Sequence, residues 1–329
     1  MTPRERVHCV LAGRRPDRPP LSFWYHFPAD QVSGPAALRT HLEHRAAFDL
    51  DFLKVMNDNG YPHAARVESI RDLATIGELR GDEPEFVRQL ELLAALRGEL
   101  RGRVPLVTTI FNAWAVLRHL VRPPTTHRPP EMDAAADEPS RRIRALYAEN
   151  ADAVRAALRT IAANLAQFAQ RCIAAGADGV FLSVRDDWVD VSGGPALYAD
   201  LVRPTDLHVL SGAAGGWFNL LHVCGRAIDF AAFAGYPAAA INWADRAAGP
   251  SLASVSGWLR PAICGGLDNL GTLVNGTPEE CAREVDDALA QAGSRPMIVA
   301  PGCTYDPARV PRANLEAVCA AARGNKGAF

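Results

Sequence analysis

Two short motifs carry the residue types that could do chemistry. His222-Val223-Cys224-Gly225 closes one apolar run, and Pro301-Gly302-Cys303 closes another. Side chains two apart on a strand point to the same face, so His222 and Cys224 can converge on one centre. One imidazole and two thiolates leave a tetrahedral metal with one open position. That is the pattern of a catalytic rather than a structural Zn²⁺, with Cys303 as the third ligand. The ordinary alternative is a hydrogen-bonded histidine and two small buried thiols. What separates the readings is whether the fold brings the two motifs together.

Further polar residues follow apolar runs and could surround such a centre. Asp268 and Asn242 are candidates to orient substrate or the ligand histidine, and Tyr305, two residues past Cys303, is a candidate to cover the metal. His26, Asn57, Asn112 and Asp187 are candidates to hold substrate, with Asp58, Asp186 and Asp245 beside them. Polar residues at strand ends are also ordinary surface chemistry. The remaining cysteines read as packing: Cys264 lies inside an apolar run, and Cys9, Cys172, Cys281 and Cys319 sit in helical patterns. Seven Cys without a CxxC pair do not make a disulfide framework.

The elements that must position these residues alternate along the chain. Eight short apolar runs read as buried parallel strands, at 21–24, 52–56, 105–111, 179–183, 217–224, 239–243, 262–267 and 296–300. Helical patterns separate them at 35–48, 141–175, 195–211, 277–291 and from 311 to 323. Thr277-Pro278-x-Glu280 is a capping box with Pro at the first helical position. Eight β-then-α units predict one (β/α)₈ TIM barrel across residues 1–329, with an N-terminal helix at 3–11. Active sites of such barrels sit at the C-terminal strand ends, where both motifs fall. Residues 122–139, rich in Pro, read as a long loop after the third strand: a lid, or an insertion of no consequence. Residues 324–329 read as a frayed tail.

Composition narrows the partners. The chain of 329 residues is 48 % hydrophobic and 22 % charged with a formal net charge of −2, so neither nucleic acid nor an anionic membrane surface is expected. Basic residues are almost all Arg; only Lys54 and Lys326 are Lys. No run approaches the length of a membrane helix and no signal core follows the N-terminus, so a cytoplasmic protein with reduced thiols is expected.

Several segments together resemble the uroporphyrinogen decarboxylase-like superfamily. They are Thr2-Pro3-Arg4-Glu5-Arg6-Val7, Pro16-Asp17-Arg18-Pro19-Pro20, His222-Val223-Cys224-Gly225, Gly265-Gly266-Leu267-Asp268 with Leu273 and Gly276-Thr277-Pro278-Glu279-Glu280, and Pro301-Gly302-Cys303 with Asn314-Leu315-Glu316-Ala317. The resemblance spans nearly the whole chain. The decarboxylase branch grips a tetrapyrrole through an Arg-rich segment after the first strand, where this chain has Trp24-Tyr25-His26-Phe27. The zinc methyltransferase branch is similar at the ligands. It implies Zn²⁺ on His222, Cys224 and Cys303 and a methyl group passed from a corrinoid protein to a thiol such as coenzyme M. A related branch adds a thiol to an epoxide.

Three functions follow as expectations: a zinc-dependent methyltransferase activating a thiol or similar nucleophile, with methylcobalamin as donor; a decarboxylase-like lyase or epoxide–thiol transferase on a small substrate; and a non-catalytic barrel binding a corrinoid or metal. Asp206-Leu207-His208-Val209-Leu210-Ser211-Gly212 is similar to the cobalamin-binding Asp-x-His-x-x-Gly but has one residue too many and lies on a helical pattern. With no second domain in the pattern, a corrinoid is expected on a partner protein or free.

Overall fold

A computed structural model describes residues 1–123, 138–186, 188, 191–225, 228–233 and 235–324. Asp187, the tail 325–329 and most of the loop expected to be a lid lie outside the described residues.

Among the described residues the sheet has seven parallel strands in sequential order. They are β1 (Leu53–Val55), β2 (Leu106–Phe111), β3 (Gly179–Arg185), β4 (Leu220–Cys224), β5 (Ala240–Trp243), β6 (Ala262–Leu267) and β7 (Met297–Pro301). The expected first strand at 21–24 is reduced to a single parallel bridge, Leu21 to Val299. Pro19 and Pro20 carry no N–H, so the ladder cannot be built from this side. The segment nevertheless occupies the place of the eighth stave. Val299 N donates to the Pro20 carbonyl (2.9 Å), Ser22 N to Val299 (3.2 Å), and Asp51 N to Leu21 (2.9 Å). Ser22 Oγ replaces a missing backbone bond by donating to the Phe52 carbonyl at 2.8 Å. The barrel closes between β7 and β1 through these bonds.

Alternation along the strands sorts side chains into two cores. One lies between the sheet and the surrounding helices and takes Leu53, Val55, Leu182, Leu221, Val223, Ile241, Trp243, Ile263 and Val299. The other fills the barrel lumen with Phe52, Met56, Val107, Phe181, Leu220, Ala240, Ala262, Cys264, Ile298 and Ala300. His222, Cys224, Asn242, Lys54 and Arg185 share the lumen parity on their strands.

The helix Pro3–Leu11 starts as its sequence dictates. Thr2 and Glu5 form a reciprocal capping box, with Pro3 at the first helical position. Its Val7 and Val10 enter the lumen core, so the helix plugs the N-terminal end of the barrel. Ion pairs fix it there: Arg4 reaches Asp178 before β3 (3.0 Å), and Arg6 reaches Asp51 before β1 (3.0 Å). Asp51, fully buried, also takes Arg18 (2.7 Å) and the Leu21 N–H (2.9 Å).

Two helical expectations are corrected. The long helix at 141–175 is two, Glu138–Glu149 and Ala151–Ala174, because Asn150 leaves helical geometry and caps the second by accepting from Ala153 N. The stretch at 195–211 passes through a π-turn at Tyr198–Val202 before the helix Arg203–Gly212.

Asp51 joins the barrel seam to the plug. We predict that Asp51→Ala lowers unfolding free energy by about 3 kcal/mol, since it takes the carboxylate from the largely buried Arg18 and leaves Arg6 with Asp17 alone. Urea denaturation of both proteins measures this.

Candidate metal centre

β4 delivers His222 and Cys224 to the lumen face at its C-terminal end. Cys303 arrives from the turn after β7. Gly302 makes that turn fit: a Cβ there would lie 2.5 Å from Ala244 Cα, so only glycine lets the chain cross so close to the end of β5. The Nε2 of His222 and the Sγ atoms of Cys224 and Cys303 lie within 4.8 Å of one another. Cys303 Sγ is 3.6 Å from His222 Nε2. Ligands at about 2.3 Å (sulfur) and about 2.0 Å (nitrogen) from one tetrahedral zinc stand about that far apart. The donor set and its spacing therefore fit a zinc ion with three protein ligands.

The orientation of the imidazole is fixed by Asn242, opposite His222 in the β4–β5 register and fully buried. Asn242 Nδ2 donates to two carbonyls, Cys264 at 2.8 Å and Pro301 at 3.0 Å. Its amide can be placed only one way, with Oδ1 toward His222 Nδ1 at 2.6 Å. Nδ1 must then carry the hydrogen, and Nε2 turns its lone pair toward the cysteines. Phe181 stacks on the ring from below, with centroids 5.3 Å apart.

Two cations, Arg185 and Lys54, stand near the centre, with the Asp58 carboxylate acting on Lys54. Contact with Cys224 holds the Cys303 thiol below the ordinary thiol range, and contact with Cys303, with burial, pushes Cys224 above it. Arg185, in register with Cys224 at the end of β3, places Nη1 3.8 Å from its sulfur. Lys54 on β1 is buried in the lumen below. Burial lowers its ammonium to about 8, against the raising influence of Cys303 and Asp58. Sequence reading missed both cations. The signal for Lys54 was present: a lysine inside an apolar strand, in a chain with one other lysine. Arg185 lies past the point where that strand was expected to end.

The other candidates fall into distinct places. His26 Nδ1 pairs with Asp58 Oδ1 at 2.7 Å. Asn57 Oδ1 accepts from Asn59, and its Nδ2 reaches Thr109 O at 3.4 Å. Asn112 caps the helix Ala113–Val121 and donates to the buried Asp206 at 2.9 Å. Asp268 turns its carboxylate onto the N–H groups of Leu270 (3.0 Å) and Gly271 (2.8 Å) and shapes that loop. Tyr305 is buried against Tyr25 with ring centroids 5.2 Å apart. Of the residues named around the trio, Asn242 bonds to the His222 ring through its side chain, and Asp186 donates its backbone N–H to the Cys224 carbonyl at 2.8 Å. Asp206, in the segment similar to a cobalamin motif, is wholly buried on the helix Arg203–Gly212 and accepts from Tyr236 Oη at 2.8 Å.

Fold and centre define a parallel β/α barrel with an imidazole–thiol cluster at its C-terminal mouth. The chain belongs to the uroporphyrinogen decarboxylase (URO-D) family, whose model matches residues 24–324. A methyltransferase from Methanosarcina mazei shares the fold, with a TM-score of 0.71 over 98 % of each chain at 16 % identity. A B12-independent methionine synthase from Shewanella sp. W3-18-1, solved with selenomethionine, is similar over 71 % of this chain and 65 % of its own, with a TM-score of 0.48 and 15 % identity. No curated protein sequence matches this chain.

Asn242→Ala frees the His222 ring to take either tautomer. We predict a loss of zinc affinity of about 10- to 100-fold, read by competition with a chromophoric chelator, with the fold retained. Asp206 supplies a pH test. Burial raises its carboxyl to about 7, above an ordinary value of about 3.9. The folded chain therefore holds a proton that the unfolded chain has lost between those values. Its contribution to stability is complete below about pH 4 and lost as pH rises through about 7. Asp206→Asn should flatten that part of the stability–pH curve in thermal melts.

Proposed function

We propose that this chain is a zinc-dependent methyltransferase that activates a thiol, or a similar nucleophile, and receives the methyl group from a methylated corrinoid. The observation that carries the reading is the convergence of His222 Nε2, Cys224 Sγ and Cys303 Sγ behind an imidazole whose tautomer Asn242 dictates. Zinc bound by these three side chains would stabilise an incoming thiol as thiolate at neutral pH.

The chain's own residues prepare for that chemistry. Asn242 keeps His222 aimed, with Nε2 toward the sulfurs. Cys224 and Cys303 make the ligand set electron-rich, so an added sulfur keeps its nucleophilicity. Phe181 and the lumen core below exclude water from the lower side. A methylated corrinoid would supply the electrophilic methyl carbon: the bound sulfur would form the new bond to carbon with its lone pair, and the electrons of the broken carbon–cobalt bond would stay with the leaving corrinoid. The thiol proton has already gone to solvent. The corrinoid would reach the mouth on a partner protein or free. Among the described residues no helix is long and apolar enough to cross a membrane.

The shared fold of the Methanosarcina mazei methyltransferase supports this reading. So does the segment at 24–27, where Trp24 and Phe27 are buried and no Arg is offered to a tetrapyrrole carboxylate. A decarboxylase-like lyase is the second reading, favoured by the name of the matching family model.

Metal analysis should give about one zinc per chain, and Cys224→Ala or Cys303→Ala should lose both the metal and turnover. Zinc-loaded protein given methylcobalamin and a thiol should yield the methyl thioether with loss of the methylcobalamin absorbance. Carbon dioxide release from a small acid with no thioether would decide for the lyase, and stoichiometric corrinoid binding without turnover for a non-catalytic barrel.

A further inference from the structure

Lys54 has no role in the mechanism above, yet its position is costly. It sits in the middle of β1 with Phe52 and Met56 as its lumen neighbours, and only 6 % of the residue is exposed. Its Nζ donates to the thioether of Met56 at 3.3 Å. It lies 4.3 Å from the ring centroid of Phe181 and 5.6 Å from that of Trp24. Phe181 is the ring stacked on His222. Among the described residues no carboxylate forms an ion pair with Lys54. An ammonium held among aromatic rings and a thioether recovers only part of its lost hydration. Methionine in its place would pack the same volume without that cost.

The charge of the neighbouring centre supplies a reason. A dication with two cysteine thiolates and a neutral imidazole sums to zero. A substrate thiolate in the fourth position makes the sum −1, at the top of an apolar lumen. Lys54 moves either sum by +1, and Asp58, whose carboxylate also acts on Lys54 and meets His26, offsets part of it; the lysine still favours the more anionic of the two states. Arg185 is half-buried at the mouth, where solvent screens it more. Lys54 is the cation inside the apolar lumen.

We propose that Lys54 is a positioning residue whose fixed charge makes the His222–Cys224–Cys303 centre prefer an anionic sulfur ligand over a neutral one. This rests on the reading of the trio as a metal centre. Lys54 acts through the field across Phe181, and its charge persists at neutral pH because burial lowers the ammonium only to about 8. When the thiol binds, its S–H bond breaks, sulfur keeps the electron pair, and the proton passes to bulk water.

The test uses full-length protein loaded with Co²⁺, whose sulfur charge-transfer band reports an added thiolate. The probes are 2-mercaptoethanol, which is neutral, and 3-mercaptopropionate, which carries an acid group. Lys54→Met should bind cobalt in the wild-type ratio, melt no lower than wild type, and bind both thiols at least about tenfold more weakly. Lys54→Arg, which keeps the charge, should retain most of the affinity. Unchanged thiol affinity in Lys54→Met at full cobalt occupancy overturns the proposal. So does a loss confined to 3-mercaptopropionate, which would make Lys54 a partner of the substrate's acid group. A Lys54→Met chain that fails to fold assigns the lysine to the core and overturns it as well. Wild-type protein that takes up no cobalt overturns the metal reading itself, a different result from any of these.

Discussion

The Asn242 side chain ties four strands of the barrel to one another at the level of the centre. It stands on β5, takes the His222 N–H from β4, and gives its own two hydrogens to carbonyls on β6 and at the end of β7. Each bond decides the next. The two carbonyls fix which end of the amide faces the ring, the amide oxygen fixes which ring nitrogen carries hydrogen, and the other nitrogen is left to face the sulfurs. Because Pro301 is two residues before Cys303, the clasp also sets how far the turn bearing that sulfur stands from the imidazole. A buried amide with every polar atom satisfied is a rigid device, since no neighbouring geometry offers it the same partners.

That clasp depends on a closed barrel, and closure here is irregular. Where a regular strand would stand, a proline-led segment supplies a few backbone bonds and one serine hydroxyl. The deficit is made up at the bottom, where Asp51 gathers Arg6, Arg18 and the Leu21 N–H at the junction of seam and plug. The aspartate is fully buried and both arginines are largely so, so the pairing is not a surface ion pair of small consequence.

Much of this was legible in the sequence because the governing signals are local. Apolar runs bounded by polar residues located seven strands to within a few residues, and the capping box at Thr277 located a helix start. The spacing of His222 and Cys224 told which way they face. What was not legible depends on strands meeting others far away in sequence. Asn242 and Asp268 looked alike as polar residues at strand ends. Only the register, which sets Asn242 against His222 and lets Asp268 fold back onto its own loop, separates them. The segment at 21–24 has strand composition, but its prolines matter only once its partner on β7 is known. Asn150 breaks a helix whose Ala- and Leu-rich pattern continues through it, because a cap is a matter of one backbone turn rather than of periodicity. Lys54 was visible as an oddity, but its meaning needs the lumen around it.

The N-terminal helix has a further consequence for traffic. With Val7 and Val10 sealing the lower end, the lumen is a cul-de-sac. Whatever reaches the three ligands comes through the rim where the strands end, and leaves by the same door. On the proposed reading, a small nucleophile would be seated before a bulky donor covers the rim, and would depart as product only after the donor withdraws. Such a plan would impose an order of arrival and departure through the shape of the lumen alone.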